Sequence, residues 1–135
     1  GSFADIGCGT GILCMAALRL GADRCYATEN DAHALAIARE NLAAADMLGS
    51  VTTECCEAPS TERQYDLVVA NILAPVLARL AESLEALLVP RGALLLSGLL
   101  NSQADALIER YGRLGLRVSR RAEEGDWMLL EMRRG

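Results

Sequence analysis

The 135-residue chain contains no lysine; all thirteen of its basic residues are arginine, against eighteen acidic ones, and the net charge is −5. Non-specific nucleic-acid binding needs a concentrated basic face, so an acidic domain argues against it. There is a single histidine, His33, and the five cysteines form no C-x-x-C pair, which removes the usual zinc-site spacings. Their odd number and scatter suit free thiols of a reducing cytosol, with Cys55 and Cys56 read as two small, partly buried residues. No apolar run reaches the roughly 20 residues that a membrane helix needs, and no basic-then-apolar leader is visible. Aromatic residues make up only 4% of the chain, yet hydrophobic residues make up 52%. The core must therefore be built from aliphatic side chains, and one domain of this length accommodates it.

Short apolar runs alternate with segments of helical period. Strands are expected at Phe3–Ile6, Arg24–Glu29, Ser50–Glu54, Tyr65–Ala70 and Ala93–Ser97, and a final pair at Leu116–Arg120 and Trp127–Met132 encloses a turn at Glu124–Asp126. Helices fill the gaps. Ile12–Leu20 is closed by Gly21. A second helix is capped by Asn30 or Asp31 and carries Leu35, Ala38 and Leu42 on one side. A third carries Val76, Leu77, Leu80, Leu84 and Leu87 and ends at Pro90 and Gly92. A fourth is opened by Asn101 or Ser102 and stopped by Gly115. The polar segment Glu57–Gln64 reads as a loop. Strands separated by helices imply a mostly parallel sheet covered on both faces, and the late strand pair implies an antiparallel end.

In an open α/β sheet the ligand lies beyond the carboxyl ends of the strands, where strand order reverses, and the first strand-to-helix turn is at that place. Here it reads "ADIGCGTGIL", with Gly7, Gly9 and Gly11 leaving the backbone bare ahead of a helix N-terminus. A dinucleotide loop, G-x-G-x-x-G, would need a third glycine where Ile12 stands, and no G-K-[ST] of a Walker loop occurs. The pattern present, D-x-G-x-G-x-G from Asp5 to Gly11, is that of S-adenosylmethionine-dependent methyltransferases. Glu29 ends the second strand, 22 positions after Gly7, where a carboxylate can accept both hydroxyls of a ribose. Asp5, below the glycines, is read as a carboxylate that orders the loop through backbone N–H groups.

The runs "DIGCGTGIL", "DLVVANILAPVL", "LLLSGLL" and "EEGDWMLLEMRR", in this order, resemble the catalytic domain of the PrmA family, bacterial methyltransferases of ribosomal large-subunit protein eleven. The resemblance covers essentially the whole chain, and "ANIL" with "LSG" is its most specific part. It implies a class I S-adenosylmethionine-dependent methyltransferase (Rossmann-like) fold: a mostly parallel seven-stranded sheet in the order 3-2-1-4-5-7-6, with a C-terminal antiparallel hairpin. It further implies S-adenosyl-L-methionine as methyl donor and, as acceptors, lysine side-chain amines or the N-terminal amine of a ribosomal protein in the cytoplasm. Gly7 matches the family's cofactor-contacting loop glycine, Glu29 the ribose-binding acid, and Asn71 the asparagine that lines the cofactor and acceptor site. The family usually has Asp where Glu29 stands. Its substrate-gripping N-terminal domain and a cofactor contact upstream of the first strand have no counterpart here, so residues 1–135 read as one methyltransferase domain of a longer protein.

Relatives that methylate lysines of a mitochondrial flavoprotein share much of this core, which leaves a non-ribosomal acceptor open. A non-catalytic scaffold of the same fold is a third reading, and an NAD-dependent enzyme a fourth that Ile12 disfavours. Asn71 is the residue best suited to orient an amine by accepting its N–H, with helix capping as its alternative role. His33 reads as an exposed helix residue. Base methylation would call for N-P-P-[YF] at this loop, to stack a flipped-out base, whereas Ile72 and Leu73 follow Asn71. Trp127 reads as core.

Overall fold

The computed structural model describes residues 1–134. Its strands are β1 (Ser2–Ile6), β2 (Arg24–Glu29), β3 (Val51–Cys55), β4 (Tyr65–Asn71), β5 (Leu88–Leu100), β6 (Leu116–Glu124) and β7 (Trp127–Arg134). The helices are α1 (Ile12–Arg19), α2 (Ala32–Ala44), α3 (Ala74–Arg79), α4 (Ala81–Ala86) and α5 (Ala104–Gly112). The sheet runs β3-β2-β1-β4-β5-β7-β6, the order that the family resemblance implied. β1 to β5 pair in parallel; β7 is antiparallel to both β5 and β6. Strand order reverses at β1, which lies between β2 and β4, so the carboxyl ends of these three strands frame the crevice.

Two apolar layers sandwich the sheet. Ala4, Ile6, Val68, Leu94 and Leu96 face Leu77, Leu84 and Tyr111 of α3, α4 and α5. Phe3, Cys25, Ala27 and Val69 face Cys14 of α1 and Leu35, Ala38 and Leu42 of α2. The two covering faces follow from period-2 alternation along β1: Phe3 goes to one layer, Ala4 and Ile6 to the other. Tyr111, fully buried, donates its hydroxyl to the Leu77 carbonyl at 2.7 Å, so burying its polar end leaves nothing unpaired.

Asp31 caps α2 by accepting from the backbone N–H groups of His33 and Ala34. His33 is exposed in the first turn, as expected. Several boundaries differ from the sequence reading: β5, β6 and β7 run beyond the expected strands, to Leu100, Glu124 and Arg134, and three further differences have a local cause. The third predicted helix is two short ones, bent at Leu80, although Leu77, Leu80, Leu84 and Leu87 still form one buried stripe. Pro90 and Gly92 lie within β5, because the irregular register between Tyr65–Leu88 and Leu67–Ala93 accommodates a proline that cannot donate to the ladder. Asn101 does not cap α5: its amide donates to the Gly125 carbonyl and ties this turn to the β6–β7 hairpin, while Gln103 Oε1 accepts from the Leu100 N–H.

Candidate active site

The β1–α1 loop is held from the second strand. The Thr28 carbonyl accepts from both Gly7 N–H (2.9 Å) and Cys8 N–H (2.8 Å), and Glu29 Oε1 accepts from Gly9 N–H at 3.0 Å. Glu29 Oε2 accepts from Asp31 N–H at 3.1 Å, so the carboxylate is fixed from both sides. A carboxylate has about four lone-pair sites. Two remain for a ligand's hydroxyls.

A cleft of about 200 Å³ opens where β1, β2 and β4 end; Gly7, Thr28, Glu29 and Asn71 line it, with Cys56 and Glu57 from the loop after β3. Of the five residues singled out in the sequence, Gly7, Glu29 and Asn71 meet here. Gly9 stands behind them as a donor to Glu29, and Gly11 starts α1 against Ala38 of α2, outside the cleft lining. Gly7 adopts φ +78°, and a Cβ on it would fall 2.5 Å from Ile72 Cγ2. Any other residue there would be both strained and in collision with the cleft wall. The thiol of Cys56 donates to Glu54, and burial together with that carboxylate pushes it up to about 11. It is thus a neutral, weakly nucleophilic group at the cleft edge; Cys56 is partly buried as expected, whereas Cys55 is exposed.

Asp5 departs from its expected role. It is buried but binds no loop N–H: Oδ2 accepts the Cys14 thiol at 3.6 Å, and Oδ1 has no partner. The loop donors are already taken by Thr28 and Glu29. Burial pushes the Asp5 carboxyl up to about 6, the Glu29 charge adds to the rise, and the Cys14 contact opposes it. The folded state therefore holds this proton more tightly than the unfolded chain does. Its ionisation penalty is absent below the ordinary value of 3.8, grows as pH rises towards 6, and is fully present above. It amounts to about 3 kcal/mol. Between pH 4 and pH 7 the parent chain should lose up to that much more stability than Asp5→Asn, as read from urea midpoints. Parallel pH profiles would contradict this assignment.

Asn71 ends β4 with its side chain exposed, and the position before α3 is occupied by Leu73, with no side-chain cap. The capping alternative for Asn71 is thereby removed. Its partner across the sheet is Ser97, at a bulge: β5 leaves register with β7 between Leu96 and Leu99, so Ser97 and Gly98 have no partner on β7. Gly98 has φ +81°, and a Cβ on it would stand 2.8 Å from Asn71 Oδ1 and 2.9 Å from the Ile72 carbonyl oxygen. A bare residue at 98 is what lets Asn71 occupy its place. Beyond the bulge lies a second, wider slot of about 530 Å³ towards the β6–β7 hairpin, and Asn71 lines both cavities. Trp127 lines this slot and is 54% exposed, contrary to its expected burial. Met128, Leu130 and Met132 take the inward positions of β7; alternation sends Trp127 to the opposite face.

The family model described as "Ribosomal protein L11 methyltransferase (PrmA)" matches residues 1–135. The chain belongs to the PrmA family. A PrmA relative from Geotalea uraniireducens named "Ribosomal protein L11 methyltransferase" is 40% identical over 129 residues, covering 96% of this chain and 41% of its own length. One of the same name from Parasynechococcus marenigrum is 45% identical over 139 residues, covering 97% and 47%. The chain thus spans less than half the length of these PrmA relatives. The solved structure of a ribosomal protein L11 methylase from Lactobacillus delbrueckii subsp. bulgaricus superposes with TM-score 0.93 at 28% identity, over 98% of this chain and 69% of that one. The glycopeptide N-methyltransferase MtfA, solved with S-adenosylmethionine, superposes at 0.78 with 19% identity over 100% of this chain and 87% of its own, and so shares the fold. The architecture is that of the class I S-adenosylmethionine-dependent methyltransferases.

Proposed function

We propose that the chain binds S-adenosyl-L-methionine in the cleft at Gly7, Glu29 and Asn71 and transfers its methyl group to amino groups of ribosomal large-subunit protein eleven. The observation that carries this reading is the meeting of those three residues at the topological switch point of a PrmA-family sheet. The residues fit the donor. Glu29 keeps two acceptor positions for a ribose diol, Gly7 keeps the wall bare, and the first turn of α1 has no acidic side chain to compete for its free N–H groups. Ile12 still argues against a pyrophosphate ligand.

S-adenosylmethionine, when bound, supplies a sulfonium methyl already activated for in-line displacement. The protein's share is alignment and exclusion of water, and alignment alone is worth on the order of 7–11 kcal/mol. A lysine amine, with an ordinary pKa of about 10.4, must be neutral to attack, so the acceptor site must favour its uncharged form. Asn71 Oδ1 accepts an N–H of that neutral amine and turns its lone pair towards the methyl. Acting on a ribosomal protein places the reaction in the cytoplasm; no helix among the described residues is long and apolar enough to cross a membrane. Incubating the chain with methyl-labelled S-adenosylmethionine and purified large-subunit protein eleven should place label on lysine or N-terminal amines. Label confined to other proteins of a ribosome-free extract would favour the non-ribosomal acceptor.

A further inference from the structure

The two edges of the sheet are unlike. β3, at one edge, is short and carries a single charge, Glu54, which Tyr26 and Cys56 already engage. β6, at the other, is longer, and among the described residues no strand lies beyond it, so a row of its N–H and C=O groups faces outward. Leu116 at its start is buried, but every side chain from Ser119 to Glu124 is exposed. This exposed half ends in the run Arg120, Arg121, Ala122, Glu123, Glu124. None of its four charged side chains takes part in an ion pair among the described residues, whereas Glu82, Glu85, Glu109 and Glu131 each hold an arginine.

We propose that β6 pairs antiparallel with the β6 of a second copy of this chain, about a two-fold axis at Ala122, so that the two sheets become continuous. Arg120 then stands opposite the second copy's Glu124 and Arg121 opposite its Glu123, and the symmetry repeats both pairs. Charges of one sign on an edge would repel a second copy. Here the sign reverses at Ala122, so the strand is complementary to itself when read backwards. The charges also select the register. A two-fold axis perpendicular to the sheet brings side chains of the same face together, so it must pass through a residue and not between two. At Arg121 it would set that arginine against its own copy, and at Glu123 it would set two glutamates together. Only Ala122 leaves opposite charges facing throughout.

The centre of this interface is apolar. Ala122 is in register with Leu129 of β7, so the row across the axis reads Leu129, Ala122, Ala122, Leu129, and Leu129 is 36% exposed in the single copy. The next row sets the second copy's Arg120 against Glu124, which is in register with Trp127 and lines the wider slot that Asn71 also lines. The second copy thereby brings a cation to the rim of that slot. None of this depends on which ligand fills the cleft.

Sedimentation velocity of the 135-residue chain tests the pairing. At about 100 μM, a range suited to so short an interface, the mass should approach twice 14.4 kDa and fall back on dilution. Salt at about 1 M should dissociate the dimer. Glu123→Arg combined with Glu124→Arg should leave a monomer, as should Arg120→Glu combined with Arg121→Glu. Mixed in equal amounts, these two chains should dimerise again, because every facing pair is then opposite in sign. Ala122→Cys leaves the charges alone and places two thiols at the axis; glutathione disulfide should convert it to a covalent dimer that the native chain does not form. A native chain that stays monomeric, a dimer that survives either double substitution, folded variants that fail to re-associate on mixing, or no additional cross-link from Ala122→Cys would overturn the assignment.

Discussion

With alanine in place of Asn71, methyl transfer at saturating S-adenosylmethionine should fall by about 100-fold, the scale expected when an acceptor loses its alignment. The dissociation constant of the donor should change by less than about threefold, because Glu29 and the loop backbone remain. The split between rate and affinity matters because Asn71 lines both cavities. A residue that served only as wall would change affinity alone. A residue that served only the fold would lower stability, yet Asn71 caps no helix and its side chain is exposed. Single-turnover rates with a saturating donor, measured beside calorimetric affinities, separate these cases. An unchanged rate would remove Asn71 from the reaction.

The second large effect belongs to Glu29. Among the described residues, its carboxylate is the only side chain that both holds the glycine loop, through Gly9 N–H, and keeps lone pairs free towards the cleft. Charge-assisted hydrogen bonds contribute roughly 1.5–3 kcal/mol each. Glu29→Ala, which removes two such bonds to a ribose diol and slackens the loop as well, should weaken donor binding by at least about 100-fold. Glu29→Gln keeps the shape and one acceptor oxygen and should fall between. Glu29→Asp, the residue that the family resemblance leads one to expect here, should bind the donor while loosening the contact to Gly9, which a carboxylate one carbon shorter reaches less well. Equal affinities across this series would mean that Glu29 serves only the loop.

The sheet was readable from the sequence because its strands are short apolar runs between clear helix signals. Arg24–Glu29 is found where it was expected, and the strand at Tyr65 extends one residue further, to Asn71. That Gly7, Glu29 and Asn71 line one cleft has a related reason: carboxyl ends of strands at a switch point must converge, whatever the side-chain packing, although Asn71 itself was picked out by the family resemblance. What escaped depended on contacts between distant segments. In the run Trp127–Met132 one face carries Met128, Leu130 and Met132 and the other Trp127, Leu129 and Glu131; Glu131 alone marks the second as outward, and Trp127 was assigned to the wrong face. Gly98 was visible in "LSG", but its need to be bare comes from Asn71 and Ile72 on another strand. Asp5 sits directly under the loop in sequence, yet Thr28 and Glu29 reach the loop donors from β2 and leave it only a thiol. The slot beyond Asn71 needed the bulge in β5, which no local signal announces.

The identity of the ligand in the cleft decides between a methyltransferase and a dinucleotide enzyme. Titration calorimetry with S-adenosylmethionine and, separately, NAD tests it on the chain as it stands. Saturable binding of S-adenosylmethionine at one molecule per chain, lost in Glu29→Ala and without a counterpart for NAD, is the result predicted. Binding of NAD, or of neither ligand by a chain that is folded, would contradict it.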